Sequence, residues 1–214
     1  MISFQRLSSI LIVLLALPLG TTPASVQAQQ ISPSVSDTLT QTLLIHPVID
    51  GNTSSSEHEY NPNYRLGDQI GRDFSVGKLT ENGFVRRFKT DGKTNEDWYG
   101  WRKEVFAPIN AKVLKVNHPD TTNVPGTMNR DARPGYVIFL RESDSTKVVY
   151  AHLREIQVSQ GEQVNIGQVV GKVGNNGNSR NPHVHVGAWR GDTALQIQVD
   201  LYAKHRYNQE TAKK

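Results

Sequence analysis

Asn181-Pro-His-Val-His-Val-Gly-Ala-Trp189 alternates residue by residue. At the two-residue period of a strand, His183, His185, Gly187 and Trp189 share one face, and Val184, Val186 and Ala188 share the other. The small and β-branched set faces a second layer, while two imidazoles stand side by side on the opposite surface. Working outward, short apolar runs fall at 105–107, 112–116, 136–140, 147–153, 163–166, 168–173, 183–189 and 195–199. Each is bounded by Gly, Pro, Asn or Asp, the punctuation of a meandering sheet protein. Beyond residue 28, Val plus Ile number 28 against 18 for Leu plus Ala, which favours sheets over a helical bundle. The expected fold is all-β, in a single domain.

Composition narrows the function classes. The 214 residues carry 24 Lys+Arg against 20 Asp+Glu, a net charge of +4 that gives no argument for nucleic acid. The absence of cysteine excludes a disulfide scaffold, a zinc ribbon and a thiol nucleophile. At the N-terminus, Arg6 precedes an apolar run over 10–17, then Pro18, Gly20 and Val26-Gln-Ala28, the pattern of a secretory signal over residues 1–28. That run is about half the roughly 20 residues needed to cross a bilayer, so export to the periplasm, cell envelope or medium is expected, without stable membrane insertion. Residues 29–50 read as a linker with a short helix over 38–45 capped by Asp37. Residues 51–202 read as the domain, with long loops at 51–68 and 77–100, and 203–214 as a frayed polar tail.

Four chemically telling residues lie on strand-like runs. His183 and His185 share a face. Val148-Val-Tyr-Ala-His152 places Val148, Tyr150 and His152 on one face of a second strand. Asp73, in Gly71-Arg-Asp-Phe-Ser-Val76, stands among apolar neighbours and needs a partner that Arg72, on the opposite face, cannot be. His, Asp and His with no cysteine form a nitrogen and oxygen ligand set suited to Zn²⁺, and three protein ligands leave a fourth position for water. A hydrolase also needs a base for that water and a donor for the oxyanion, which further histidines can supply.

Together these segments resemble the lysostaphin-type zinc metallopeptidases, from about Gly71 to Trp189. The similarity is carried in order by Val105-Phe-Ala-Pro-Ile-Asn-Ala-Lys-Val113, Gly135-Tyr-Val-Ile138, Tyr150-Ala-His-Leu153, the run from Val158 to Val170, Gly174-Asn-Asn-Gly-Asn-Ser179 and His183-Val-His185. The resemblance implies antiparallel sheets forming a groove with one zinc at its floor, and an endopeptidase acting on peptidoglycan cross-links or another secreted peptide. It implies metal ligation by Asp73 and His185, with His152 and His183 handling the water and the oxyanion. It also implies loss of activity at acid pH, because these imidazoles must be uncharged.

The family's usual first ligand is a histidine four residues before the aspartate, where this chain has Gln69. His58, in Ser56-Glu-His-Glu-Tyr60, is the candidate replacement, as in a divergent branch of the family with a longer intervening loop. His46 and Asp50 share the His-x-x-x-Asp spacing but are interrupted by Pro47. A member that binds cell wall or a partner without cutting is the alternative that Gln69 leaves open. The turn 174–179 is expected to shape the groove rim, and Trp98, Tyr99 and Trp101 to pack in loops or core.

Overall fold

In the computed structural model residues 41–51 and 53–211 are described; the expected signal segment, Asp37 and the first part of the linker lie outside them. The chain runs through β1 (Thr42–Ile45), β2 (Thr53–Glu57), β3 (Arg72–Val76), β4 (Lys78–Leu79) and β5 (Val85–Arg86), then a 3-10 turn over Asn95–Asp97. It continues through β6 (Glu104–Phe106), β7 (Ala111–Asn117), β8 (Tyr136–Arg141), β9 (Thr146–Ala151) and β10 (Leu153–Arg154). Then come β11 (Gln163–Val164), β12 (Val169–Val173), β13 (Val184–Arg190), β14 (Thr193–Val199) and α1 (Leu201–Thr211). Each of the eight apolar runs contains or overlaps a strand, as their period and bounding turns predict.

A nine-stranded sheet follows the order β1-β14-β13-β9-β8-β7-β11, with β3 and then β2 branching from β13. A three-stranded sheet, β10-β12-β6, is the second layer. Val113, Val137, Phe139, Val148, Tyr150, Val184 and Val186 of the large sheet and Val105, Val170, Val173 and Leu153 of the small one belong to one buried cluster. Burying a side chain of this kind contributes about 1.5–3 kcal/mol, so the alternating residues fix which face of each strand turns inward.

β13 is the organising strand. Its outer half pairs with β14 through Ala188–Leu195, and its inner half pairs on the same edge with β3 through His185–Asp73. β9 lies along its other edge, setting His185 opposite Ala151. β2 continues the row, with Ser56 opposite Asp73. Ser56, Asp73, His185 and Ala151 therefore form one line across four strands, on the face opposite Val184 and Val186.

Several sequence expectations change. The helix over 38–45 is not formed in its described part: Thr42–Ile45 is β1, parallel to β14, with Leu43 and Ile45 buried and Leu44 exposed. The residues alternate at period two, and pairing with a ready strand edge overrides local helix preference. Val48 and Ile49 are also in the core, so the packed unit takes in residues before 51. The long loop at 51–68 contains β2, a polar edge strand whose register is set by β3 rather than by apolar periodicity. Within 77–100, β4 and β5 form a hairpin, and Asp97 accepts backbone N–H groups of Thr90 and Gly92.

The tail is not frayed through 203–211. Asp200 Oδ1 accepts the backbone N–H groups of Tyr202 and Ala203, capping α1, and Tyr207 donates its hydroxyl to Asp50 at 2.9 Å while packing on Phe106. No helix among the described residues is long and apolar enough to cross a membrane.

Candidate metal centre

His58, Asp73 and His185 converge: one ligand atom from each lies within 4.8 Å of the other two. His58 follows β2 and keeps the ladder going, its N–H donating to the Gly71 carbonyl at 2.8 Å, so its ring shares the face of Ser56 and Asp73. His58 Nε2 is 3.3 Å from Asp73 Oδ2, and His185 Nδ1 is 3.0 Å from Asp73 Oδ1. Gly71 provides the room between them. A Cβ there would come within 2.5 Å of His185 Cε1 and 3.3 Å of His58 Nδ1.

His183 and His152 complete the cluster. His183 enters from the start of β13, with Nε2 3.6 Å from Asp73 Oδ2. The rings of His152 and His183 lie 4.7 Å apart, and those of His152 and His185 6.3 Å apart. Strict alternation would have put His152 with Val148 and Tyr150, facing the core. Instead the strand breaks after Ala151, and His152 adopts a left-handed φ of 64° that turns its ring to the His185 side. The expected shared face of Val148, Tyr150 and His152 is therefore corrected by a backbone conformation that periodicity does not encode.

The tautomers follow from the partners. His152 Nδ1 is 2.9 Å from the Asn176 carbonyl and His183 Nδ1 is 2.8 Å from the Asn181 carbonyl. A carbonyl only accepts, so both rings are protonated at Nδ1 and carry a lone pair at Nε2. Burial, reinforced by His183 and His185, lowers the His152 pKa to about 3; burial also lowers that of His183. His152 therefore stays neutral well into the acid range.

His185 differs. Its Nε2 lies 3.0 Å from Asp68 Oδ1 and 3.2 Å from the Gly67 carbonyl, so the ring bridges Asp68 and Asp73. Burial opposes a charge here, but hydrogen bonds to Asp68 and Asp73 outweigh it and raise the pKa to about 9. Burial likewise opposes ionisation of Asp73, but its hydrogen bonds to His185 and His58 hold the carboxyl well below the usual carboxylate range.

The carbonyls that orient His152 and His183 are held by a buried polar net. Asn175 donates to Asn95 Oδ1 at 2.9 Å, and Asn95 donates to the Asn123 carbonyl at 2.8 Å. Asn123 donates to the carbonyls of Gly177 and Ser179, while the Ser179 hydroxyl lies 2.8 Å from Asn175 Oδ1. The turn 174–179 is thus more than a rim. Asparagines are common in turns, so their sequence positions alone assign no such task.

Other histidines lie outside this cluster. His46 packs on Phe106 and beside Gly167, and Asp50 binds Lys103 and Tyr207, so this pair with ligand-like spacing serves packing. His118 and His205 are exposed. Gln69 donates its amide to the Pro62 and Tyr64 carbonyls. Trp98 donates to the Gly92 carbonyl, Tyr99 packs on the core, and Trp101 lies under Arg154.

A family model described as "Peptidase family M23" matches residues 100–197. No curated protein matches the chain. Among solved structures, the catalytic domain of the antimicrobial peptidase lysostaphin from Staphylococcus simulans is 18% identical, with 68% of this chain and 88% of that chain covered and a TM-score of 0.40. The deep-sea M23 metalloprotease pseudoalterin is 16% identical, with 74% and 75% covered and a TM-score of 0.44. A candidate M23 peptidase from Pseudomonas aeruginosa is 22% identical over 74% of this chain, with a TM-score of 0.44, and this chain spans 50% of its length. The matched segment contains His152, His183 and His185, and over residues 100–197 the chain is similar to peptidase family M23.

Proposed function

We propose that this protein is an exported, zinc-dependent endopeptidase that hydrolyses peptide bonds in peptidoglycan cross-links. The observation that carries the reading is the meeting of His58, Asp73 and His185 from three separate strand ends, beside two buried neutral histidines. Two imidazole nitrogens and a carboxylate are a donor set suited to zinc, and the missing Cβ of Gly71 leaves the space such a cradle needs. His58 Nε2, Asp73 and His185 Nδ1 would hold the ion. When bound, zinc supplies Lewis acidity for the scissile carbonyl and makes water acidic enough to react near neutral pH.

The chain's own groups do the proton work. With Nδ1 protonated and Nε2 unprotonated, neither His152 nor His183 can donate from Nε2 at the outset. One of them must first accept the proton of the attacking water at Nε2. That proton is then available to the oxyanion or to the departing amine, so water's hydroxyl ends on the acyl carbon and its protons on the products. Export rests on the N-terminal pattern of Arg6 and the apolar run, and the wall substrate on the family resemblance.

The test is zinc content and turnover together. Purified protein, stripped of metal and reconstituted, should take up one zinc per chain and convert cross-linked muropeptides to monomers only in the zinc form. Turnover unchanged by stripping, or no zinc uptake, would overturn the reading.

A further inference from the structure

Residues 59–71 join β2 to β3 and fold back over β13 as a braced turn. Asn61 N–H donates to the Gln69 carbonyl at 3.1 Å, and the N–H groups of Asp68 and Gln69 donate to the Arg65 carbonyl at 2.7 and 3.1 Å. The Gln69 side chain spans the turn to the carbonyls of Pro62 and Tyr64. Gly67 seats it: its backbone lies so close to Gly187 that a Cβ on Gly187 would collide with the Gly67 carbonyl. A Cβ on Gly67 would come within 2.9 Å of Val149 and 3.3 Å of Trp189. This contact brings the Gly67 carbonyl and the Asp68 carboxylate over the outer edge of the His185 ring.

We infer that Asp68 is a positioning residue for the metal centre, accepting the Nε2–H hydrogen bond of His185 so that the unprotonated Nδ1 faces the cation. The inference rests on the metal reading of His58, Asp73 and His185. Asp68 Oδ1 lies 3.0 Å from Nε2, whereas Nδ1 is the nitrogen beside Asp73. Asp68 is not part of the converging ligand group, and its side chain is half exposed, so it acts on the ring from outside. Both Nε2 partners are acceptors once Asp68 is ionised, so the Nε2–H, Nδ1-lone-pair tautomer is the one that satisfies the ring when metal is bound. A carboxylate on the far nitrogen of a metal-bound imidazole also makes the near nitrogen a stronger donor. Gln69, at the position where the family's usual ligand stands, contributes to the same result by bracing the turn.

The test compares full-length wild type with Asp68→Ala and Asp68→Asn. Zinc affinity is measured by competition with a chromophoric chelator, and the His185 tautomer by ¹⁵N NMR of the zinc-loaded protein. Asp68→Ala should weaken zinc about 10–100-fold. Asp68→Asn, whose amide oxygen still accepts, should recover part of the loss, and the wild-type spectrum should show Nε2 protonated. Circular dichroism and melting of the metal-free forms identify any unfolded variant, and a variant that fails to fold is replaced in the comparison by Asp68→Asn alone. Wild-type affinity in a folded variant, or zinc on Nε2, would overturn the role of Asp68. Failure of wild type to bind zinc would instead overturn the metal reading beneath it.

Discussion

His152 and His183 are tied through Nδ1 to backbone carbonyls and stand against a net of buried asparagines. His58 and Asp73 sit on a Thr/Ser-rich edge hairpin and keep 32% and 28% of their side-chain surface exposed. The first pair belongs to the segment that matches the family model; the second precedes it. One half of the site is therefore oriented by the buried interior, and the other is brought in by strand register. The enclosed half is set before any ligand arrives, while the edge half can lose a side chain without opening the core.

That contrast can be broken most directly at Asp73. Asp73→Ala should abolish zinc uptake and lower turnover on the order of 10³-fold or more, with the far-ultraviolet spectrum unchanged. Metal analysis of the folded variant checks it, and retained zinc would show that the edge half is dispensable. His152→Ala and His183→Ala should do the reverse. Zinc content stays at the wild-type level while turnover falls about 10²–10⁴-fold, the range for a lost acid/base group.

The interior half should also reveal itself in stability. His152 has a pKa of about 3 in the fold against about 6.5 for a free histidine. Between those values the unfolded chain binds the extra proton, so the His152 contribution to stability is full above pH 6.5 and falls as pH drops toward 3, by up to roughly 1.4 kcal/mol per pH unit. Urea titrations at pH 7, 5 and 4 should show this slope, flattened in His152→Gln. Asn175→Ala strands the side-chain amide oxygen Oδ1 of Asn95 in the buried net and should cost about 1–3 kcal/mol by the same measurement. The smallest effect is expected at Tyr150, whose buried hydroxyl has no hydrogen-bond partner among the described residues. Tyr150→Phe should be neutral or stabilising by about 1 kcal/mol, read as a small rise in melting temperature.

The eight apolar runs were legible because alternation along a strand is a local property, recorded in each segment independently. The same holds for Val184, Val186 and Ala188 against His185. β1 and β2 were not legible as strands. Thr42–Ile45 is four residues long, and Thr53–Glu57 has no buried alternation, so each depends on a neighbour's edge for its hydrogen bonds. α1 escaped notice because its docking group, Tyr207, meets Asp50 from the other end of the chain. His58 could be nominated only through likeness to a divergent branch, and Asp68 had no local signal at all, since it reaches His185 through the packing of Gly67 on Gly187.

The amino-acid sequence by itself determined an all-β chain, which of its strand faces turn inward, and the residue types available to a metal-dependent hydrolase. Tertiary structure alone decided that His58 joins Asp73 and His185, that His152 turns away from its own strand's inward face, and that Asp68 sits behind the His185 ring. The reason is physical. Side-chain period is carried by neighbours along the chain, whereas ligand convergence depends on register between strands distant in sequence, on one left-handed backbone turn, and on glycines that let two backbones touch.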